Sequence, residues 1–168
     1  SEFYRFYNAL IHDERLIRVM QEKGYRGKFF LHTHHKVQLK DFTGNDIIEV
    51  MQDGIDYQEE FRNNALLVTD FSSVAFDFAY LKKPVIYAQF DKDTFFQGQV
   101  YSEGYFDYER DGLGPVCYDY ESTIEALIHA IENDCVLDPL YDERGNAFYR
   151  WFDQDNCKRV YDEIRRLH

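Results

Sequence analysis

Cysteine, basic residues and long apolar runs are all scarce in this chain of 168 residues. The three cysteines, Cys117, Cys135 and Cys157, are widely spaced and form no Cys-X-X-Cys pair. This argues against a disulfide framework or a zinc site and favours a reducing compartment. No apolar run is as long as a membrane span, and no signal peptide is evident. We therefore expect a cytoplasmic protein. Association with the inner face of the cell membrane would come only through parts of the full-length protein outside this chain.

Positive charge is in the minority, because 19 Lys and Arg face 31 Asp and Glu, for a formal net charge of −12. A chain this acidic gains nothing from counterion release, so we predict that it binds no nucleic acid. A phosphate-bearing ligand remains compatible with this charge, since backbone dipoles act locally. Such a site would depend on helix N-termini rather than on a field of lysines.

The hydrophobic pattern alternates between helix and strand, without repeats, low-complexity stretches or a Pro/Gly-rich linker. It predicts strands over 28–33, 47–51, 65–69, 85–88 and 116–118, and helices over 8–23, 56–63, 73–81, 122–133, 140–152 and 156–167. This order is typical of a Rossmann-like α/β fold, a parallel sheet with helices on both faces. Such sheets bind ligands where their strands end, which indicates the segments after Thr33, Thr69 and Ala88.

The most informative segment runs from Leu66 to Asp77. A buried strand ends at Thr69, Asp70 follows, and Ser72 and Ser73 open a helix. Free N–H groups, hydroxyls and the helix dipole converge there and together can hold a phosphate without a lysine. We therefore predict a phosphate site formed by Thr69, Asp70, Ser72 and Ser73. The alternative is that one serine is simply an N-cap, which is a common role.

Asp77 is the one charged residue in an otherwise apolar helix, and it lies four residues after Ser73. We expect it to be buried, with hydrogen bonds from the serine hydroxyls or the backbone. If it contacts a ligand, the contact should be to a hydroxyl, since a phosphate would be repelled.

Three histidines, His32, His34 and His35, follow the first predicted strand. No Cys or carboxylate completes a ligand set, so we predict neither a metal site nor a cofactor. A histidine at a strand's carboxyl end can instead bind a phosphate oxygen or protonate a leaving phosphate.

The loop over 103–115 mixes aromatic, acidic and turn residues. Asp107 and Glu109 can bind ribose or polyol hydroxyls, and Arg110 can contact a phosphate. The alternative is a solvated loop with an Arg–Asp surface pair.

These segments, together with Lys82-Lys83-Pro84 and Gly114-Pro115, resemble the CDP-glycerol:poly(glycerophosphate) glycerophosphotransferase family over roughly residues 3–165. The resemblance implies two Rossmann-like halves in a glycosyltransferase-B-like architecture, with this chain as a single donor-binding domain in the C-terminal half of a larger enzyme. It implies CDP-glycerol or CDP-ribitol as donor, with Ser72 and Ser73 at the donor phosphates and His34 as the catalytic histidine. The polyol-phosphate or glycan acceptor and the general base would come through the N-terminal half.

Three positions depart from the family pattern: His35 stands where Pro is usual, His32 where a basic residue is common, and Glu103 where Arg often precedes Gly104. Two other functions stay open. One is a nucleotide-sugar-dependent glycosyltransferase domain, and the other is a non-catalytic ligand-binding domain.

Overall fold

The computed structural model describes residues 1–31, 40–51, 55–92 and 105–167. Its described strands are β1 (Gly27–Phe29), β2 (Ile48–Val50), β3 (Leu67–Thr69), β4 (Val85–Ala88) and β5 (Val116–Cys117). The described helices are α1 (Glu2–Ile11), α2 (Glu14–Lys23), α3 (Tyr57–Asn63), α4 (Val74–Tyr80), α5 (Tyr108–Asp111), α6 (Tyr120–Glu132), α7 (Pro139–Phe148) and α8 (Asn156–Arg166).

Every strand pairing among these residues is parallel, as predicted. Strand β1 pairs with β2, and a second sheet has the order β3-β4-β5. Thr69 lies opposite Tyr87, and Ala88 lies opposite Cys117. The three strands of the second sheet therefore end side by side at one edge.

Helices cover both faces of the second sheet, which confirms the predicted α/β class. On one face, Ile86 and Cys117 pack in a core with residues of α1, α2 and α6, such as Ile11, Met20 and Ile124. On the other face, Val85 and Tyr87 pack against Ala75 and Phe78 of α4. Alternate side chains of β4 thus point to opposite cores, as the period of a strand requires.

The predicted helix over 8–23 is wrong, because the chain forms two helices there. Asn8, where the predicted helix begins, lies inside α1. Helix α2 instead begins after Asp13, whose side chain accepts hydrogen bonds from the backbone N–H groups of Arg15 and Leu16. A side chain that caps a new helix so well ends the preceding one. Gly24, with φ 74°, ends α2 as expected.

The remaining elements match their predictions within a few residues, apart from α5, which was expected to be loop. Strand β1 ends at Phe29, short of the predicted 33, although residues 32 and 33 lie outside the described part. None of the helices in the described ranges is long and apolar enough to cross a membrane.

Candidate functional site

The carboxyl edge of the β3-β4-β5 sheet carries three polar residues, one after each strand. Asp70 follows β3, Gln89 follows β4 and Tyr118 follows β5. Gln89 continues the ladder through its backbone N–H, which donates to the Cys117 carbonyl at 2.8 Å. The segment from Asp70 to Ser73, here called the serine turn, lies at this edge because α4 starts there. This confirms its predicted position on the fold.

The turn after β3 is held by its own side chains. Asp70 Oδ1 accepts a hydrogen bond from the Ser72 backbone N–H at 3.2 Å. Ser72 Oγ in turn accepts from the Val74 N–H, at a long 3.5 Å. An aspartate that binds the backbone two residues on is a common way to fix a tight turn. Asp70 therefore shapes the segment that presents both serines.

Ser73 is the N-cap residue of α4, yet its hydroxyl makes no capping hydrogen bond. Its backbone is helical, with φ −65° and ψ −14°, rather than extended as in most capping residues. Ser73 is also exposed. The alternative of an N-cap role thus holds for Ser73 by position only, and its hydroxyl faces solvent at the start of a helix.

A cavity of about 520 Å³ opens between β1 and β3. Its lining is mostly apolar. Polar atoms come from Tyr7, Thr69, Asp70 and Ser72, and also from Arg26, Lys28, Glu60 and Asn64. Pockets that bind small molecules have this size and this balance of apolar wall and few polar groups. Three of the predicted phosphate-site residues therefore lie on one cavity.

Acidic groups dominate the electrostatics of this edge. Burial raises the pKa of the Tyr7 phenol, and the charges of Asp70 and Asp91 raise it further. The pKa of Asp91 is also raised by burial, with Asp70 and Glu2 adding to the shift. Lys92, whose Nζ lies 5.0 Å from the centre of the Tyr118 ring, supplies a positive charge nearby in the chain. Direct contact between Asp70 and a phosphate would therefore be unfavourable, whereas its support of the turn is not.

Helix α5 packs onto the serine turn through Tyr108. The Tyr108 hydroxyl donates to the Phe71 carbonyl at 3.3 Å, and its ring meets the Phe71 ring edge-on at 5.8 Å. Burial raises the pKa of this phenol, with a further contribution from Asp70. The sequence predicted ligand contacts in the loop over 103–115 but gave no signal for Tyr108, because ring packing between distant segments leaves no local pattern.

The three loop residues predicted as ligand contacts are exposed and engaged in local interactions. Asp107 caps α5 by accepting from the Arg110 N–H at 2.8 Å, and Glu109 accepts from the Tyr118 hydroxyl at 2.7 Å. The Arg110 guanidinium forms an ion pair with Asp111, which is the surface pair foreseen as the alternative. The structure brings their helix to the serine turn, but these three side chains bond to residues near them in the chain.

The expectation that Asp77 is buried is wrong, because the residue is exposed. Helix α4 lies at the surface and buries Ala75 and Phe78 against the sheet, so its opposite side faces solvent. Asp77 shares that side with Ser73. It lines a second, open cleft together with aromatic residues of the C-terminal part of the chain.

His34, His32 and His35 lie outside the described residues, so the predicted role of His34 stays a prediction. Among the residues that the structure does describe, no group of three or more His, Cys, Asp or Glu side chains could hold a metal ion.

Gln89 was not singled out from the sequence, although the rule for sheet edges indicated the segment after Ala88. The residue is 1% exposed, and neither atom of its amide has a hydrogen-bond partner among the described residues. A buried amide without partners is costly. Its position directly after an apolar strand was the available signal.

The parallel sheet with helices on both faces and a serine turn at its carboxyl edge defines a Rossmann-like α/β domain. The chain belongs to the CDP-Glycerol:Poly(glycerophosphate) glycerophosphotransferase family, whose model matches residues 1–166. This confirms the resemblance noted from the sequence.

Individual relatives are concerned with teichoic acids. The chain is 38% identical over 167 residues to the minor teichoic acid biosynthesis protein GgaB of Bacillus subtilis, covering 99% of this chain and 18% of that protein. It is 31% identical over 124 residues to a teichoic acid glycerol-phosphate transferase of Staphylococcus aureus, covering 73% of this chain and 30% of that protein. A solved structure of the wall teichoic acid polymerase TagF (H548A) overlaps 96% of this chain and 50% of its own, at 17% identity and a TM-score of 0.46. The chain thus spans less than a third of the two relatives compared by sequence.

Proposed function

We propose that this chain is the donor-binding domain of a transferase that moves glycerol phosphate from CDP-glycerol to a polyol-phosphate or glycan acceptor and releases CMP. Family membership supports the reaction class. The observation that carries the proposal for the site is the hydroxyl of Ser73, which is exposed at the start of α4 and unused as a cap. The neighbouring cavity, lined by Thr69, Asp70 and Ser72, has room for a nucleotide.

The chemistry divides between this chain and the segments that would complete the enzyme. The acceptor hydroxyl attacks the β-phosphorus of the donor, its proton passes to a base outside this chain, and the bond from that phosphorus to the bridging oxygen breaks. Ser72 and Ser73 hold the phosphates, and Asp70 keeps the turn in shape. His34 protonates or stabilises the CMP phosphate as it leaves.

Binding measurements on the chain test the donor site. We expect CMP and CDP-glycerol to bind, and the double Ser72→Ala, Ser73→Ala variant to bind them more weakly by about 1–3 kcal/mol, the usual range for hydrogen bonds to charged groups. Ser1→Ala is a matched control, since Ser1 accepts from the Tyr4 N–H at the distant start of α1. Equal CMP affinity in the double variant and the unaltered chain would place the site elsewhere.

The same titration separates the two other candidate functions. Tighter binding of a nucleotide sugar than of CDP-glycerol would favour a glycosyltransferase domain. No binding of any nucleotide would favour a non-catalytic domain. In the complete enzyme, His34→Ala should lower turnover more than it lowers CMP affinity, because stabilising the leaving group matters most in the transition state.

A further inference from the structure

A second open cleft lies on the outer side of α4, where Asp77 is exposed. Its walls come from α4, from the end of α7 and from the segment leading into α8. The residues that matter for binding are Phe76, Asp77, Phe148, Arg150, Trp151 and Asn156. We call this surface the aromatic cleft.

Hydrogen bonds and ring contacts fix the walls of the aromatic cleft. The Tyr149 hydroxyl donates to the Phe76 carbonyl at 2.6 Å, and the Tyr80 hydroxyl donates to the Asp153 carbonyl at 2.9 Å. Phe76 stacks on Phe148 with ring centres 5.3 Å apart and planes at 15°. The C-terminal segment is thereby held against α4, so the cleft is formed before any ligand arrives.

Arg150 presents a guanidinium to this cleft. Two arginines lie over the Trp151 ring, Arg150 at 4.6 Å and Arg159 at 4.4 Å from the ring centre. Arg159 is committed to Asp153 by an ion pair. No carboxylate of the described residues forms an ion pair with Arg150, which is exposed. A guanidinium stacked on a ring keeps its N–H edge for an anion, and that edge matches a phosphate.

Asp77 gives the cleft a second kind of polar group, whereas the Asn156 amide is already bonded to Tyr80 and Arg159. A carboxylate accepts hydrogen bonds from hydroxyls and repels phosphate, so Asp77 selects for hydroxyl groups. Phe148, which is 41% exposed, offers an apolar surface for C–H groups. A ligand that satisfies these groups carries a phosphate and a hydroxyl joined by an apolar stretch of carbon chain. A polyanion without hydroxyl groups would form an ion pair with Arg150. It would be repelled by Asp77 and by the net charge of the chain, which is −12.

We infer that the aromatic cleft binds a polyol-phosphate chain, with Arg150 on a phosphate and Asp77 on a hydroxyl. This inference rests on the proposed function, in which such a chain is an acceptor. It adds that this domain itself holds the body of the acceptor, while the base that takes the proton from the acceptor hydroxyl belongs to the other part of the enzyme.

The position of Asp77 links the two sites. Asp77 and Ser73 are both exposed and lie four residues apart, which puts their Cβ atoms about 6 Å apart on one side of α4. An acceptor lying in the aromatic cleft would therefore run towards the serine turn, where the donor phosphates are proposed to bind.

Trp151 is the only tryptophan in the chain and lies in the cleft, so its fluorescence reports binding directly. The probe is a synthetic glycerol phosphate oligomer of defined length. We expect a saturable change in emission, and affinity at least about tenfold lower in Arg150→Gln, the effect of losing a charge-assisted hydrogen bond. Asp77→Leu should also weaken binding, whereas Arg18→Gln, an exposed arginine on α2, should not.

CMP titration of the same variants keeps this inference separate from the proposed function. Arg150→Gln should leave CMP affinity unchanged, and Ser73→Ala should leave oligomer affinity unchanged. Failure of CMP to bind, with normal oligomer binding, would remove the donor site and leave the aromatic cleft supported. Equal oligomer affinity in Arg150→Gln and the unaltered chain would overturn the inference. So would inorganic polyphosphate binding as tightly as the oligomer, because Asp77 would then select nothing.

Discussion

Asp70 and Ser72 are joined by a hydrogen bond in which the backbone N–H of Ser72 donates to Asp70 Oδ1 at 3.2 Å. The carboxylate that follows β3 thus already accepts a backbone hydrogen bond, which fixes the turn before any ligand binds. This is the way in which an acidic residue fits the proposed anion site. Asp70 organises the turn, and in the proposal the hydroxyls of the two serines contact the ligand.

Two substitutions of Asp70 should separate the effect of its hydrogen bond to Ser72 from the effect of its charge. Asp70→Asn keeps an oxygen acceptor for the Ser72 N–H, so we expect little loss of stability and CMP affinity that is unchanged or higher. Asp70→Ala removes the acceptor and should cost about 1 kcal/mol of unfolding free energy, together with weaker CMP binding. Urea unfolding and CMP titration check both effects. Equal behaviour of the two variants would show that the hydrogen bond does not matter.

The sequence predicted those parts of the fold in which local pattern and tertiary environment agree. Strand β4 was predicted with its observed bounds, because four consecutive buried residues lie between Pro84 and the polar Gln89. The position of the serine turn followed from a strand, a turn and a helix start in that order. Both conclusions needed only neighbours along the chain.

Other features depended on contacts that no local pattern contains. The apolar spacing of Leu10, Leu16, Ile17 and Met20 continues across the break between α1 and α2. It therefore predicted one helix, although a second helix begins at the Asp13 cap. The exposure of Asp77 depends on which side of α4 meets the sheet. The aromatic cleft joins Asp77 to Arg150 and Trp151, more than 70 residues later in the sequence. Local periodicity carries no information on such distances.

Lys83, from the Lys-Lys-Pro segment of the family resemblance, has a structural role. Its Nζ donates to the carbonyls of Phe61, Arg62 and Asn64 at 2.7, 2.9 and 2.7 Å, where α3 ends. Burial lowers the pKa of this ammonium group. Lys83→Met leaves these carbonyls without their donor and should cost about 2 kcal/mol in urea unfolding.

Lys82→Met is the matched control for Lys83→Met. Lys82 pairs with Asp142 at the surface, where both side chains are 42% exposed. It also donates to Asn146 and lies over the Phe152 ring, so its loss should cost about 1 kcal/mol or less. Equal losses in the two variants would contradict the role given to Lys83.

Gln89 should limit the stability of the unliganded chain. Its amide is buried and unpartnered among the described residues, so replacing it by an apolar side chain of similar shape removes a desolvation cost. We expect Gln89→Met to raise the unfolding free energy by about 1 kcal/mol, and Gln89→Glu to lower it, since the charge would be buried. Thermal and urea unfolding check this. A less stable Gln89→Met variant would mean that the amide is hydrogen-bonded in solution.

Gly114 allows the chain to pass close to β4. A Cβ atom built there would lie 1.8 Å from the Val85 carbonyl oxygen, which belongs to a strand in the middle of the sheet. Gly114→Ala must push two backbones apart and should cost about 3 kcal/mol or more. Gly145→Ala is the control, because nothing lies within 4 Å of its added Cβ and the residue is in α7. That control should be neutral or stabilising by up to about 1 kcal/mol.

Asp13 should make the stability of the chain depend on pH. Its side chain, 8% exposed, accepts from the Arg15 guanidinium at 2.8 Å and from the Tyr120 hydroxyl at 2.7 Å, besides capping α2. The hydrogen bond from Arg15 is the main reason that the pKa of this carboxyl falls well below its ordinary value, and the Tyr120 hydroxyl contributes as well. Because the pKa is lower in the folded state, the stabilisation is complete above the ordinary value near 4. It is lost as the pH falls below that value.

Asp13→Asn keeps a capping oxygen but removes the charge. It should therefore be less stable than the unaltered chain by about 2 kcal/mol at pH 7, from the charge-assisted hydrogen bonds that it loses. The gap should narrow steadily as the pH falls below 4, because the Asp13 carboxyl of the unfolded chain then takes up a proton that the folded chain, with its lowered pKa, does not. Asp56→Asn, an exposed cap of α3, should change little at either pH. Urea unfolding of the three proteins between pH 7 and pH 3 measures the gap directly. A difference that stays constant over this range would show that the Asp13 charge contributes nothing.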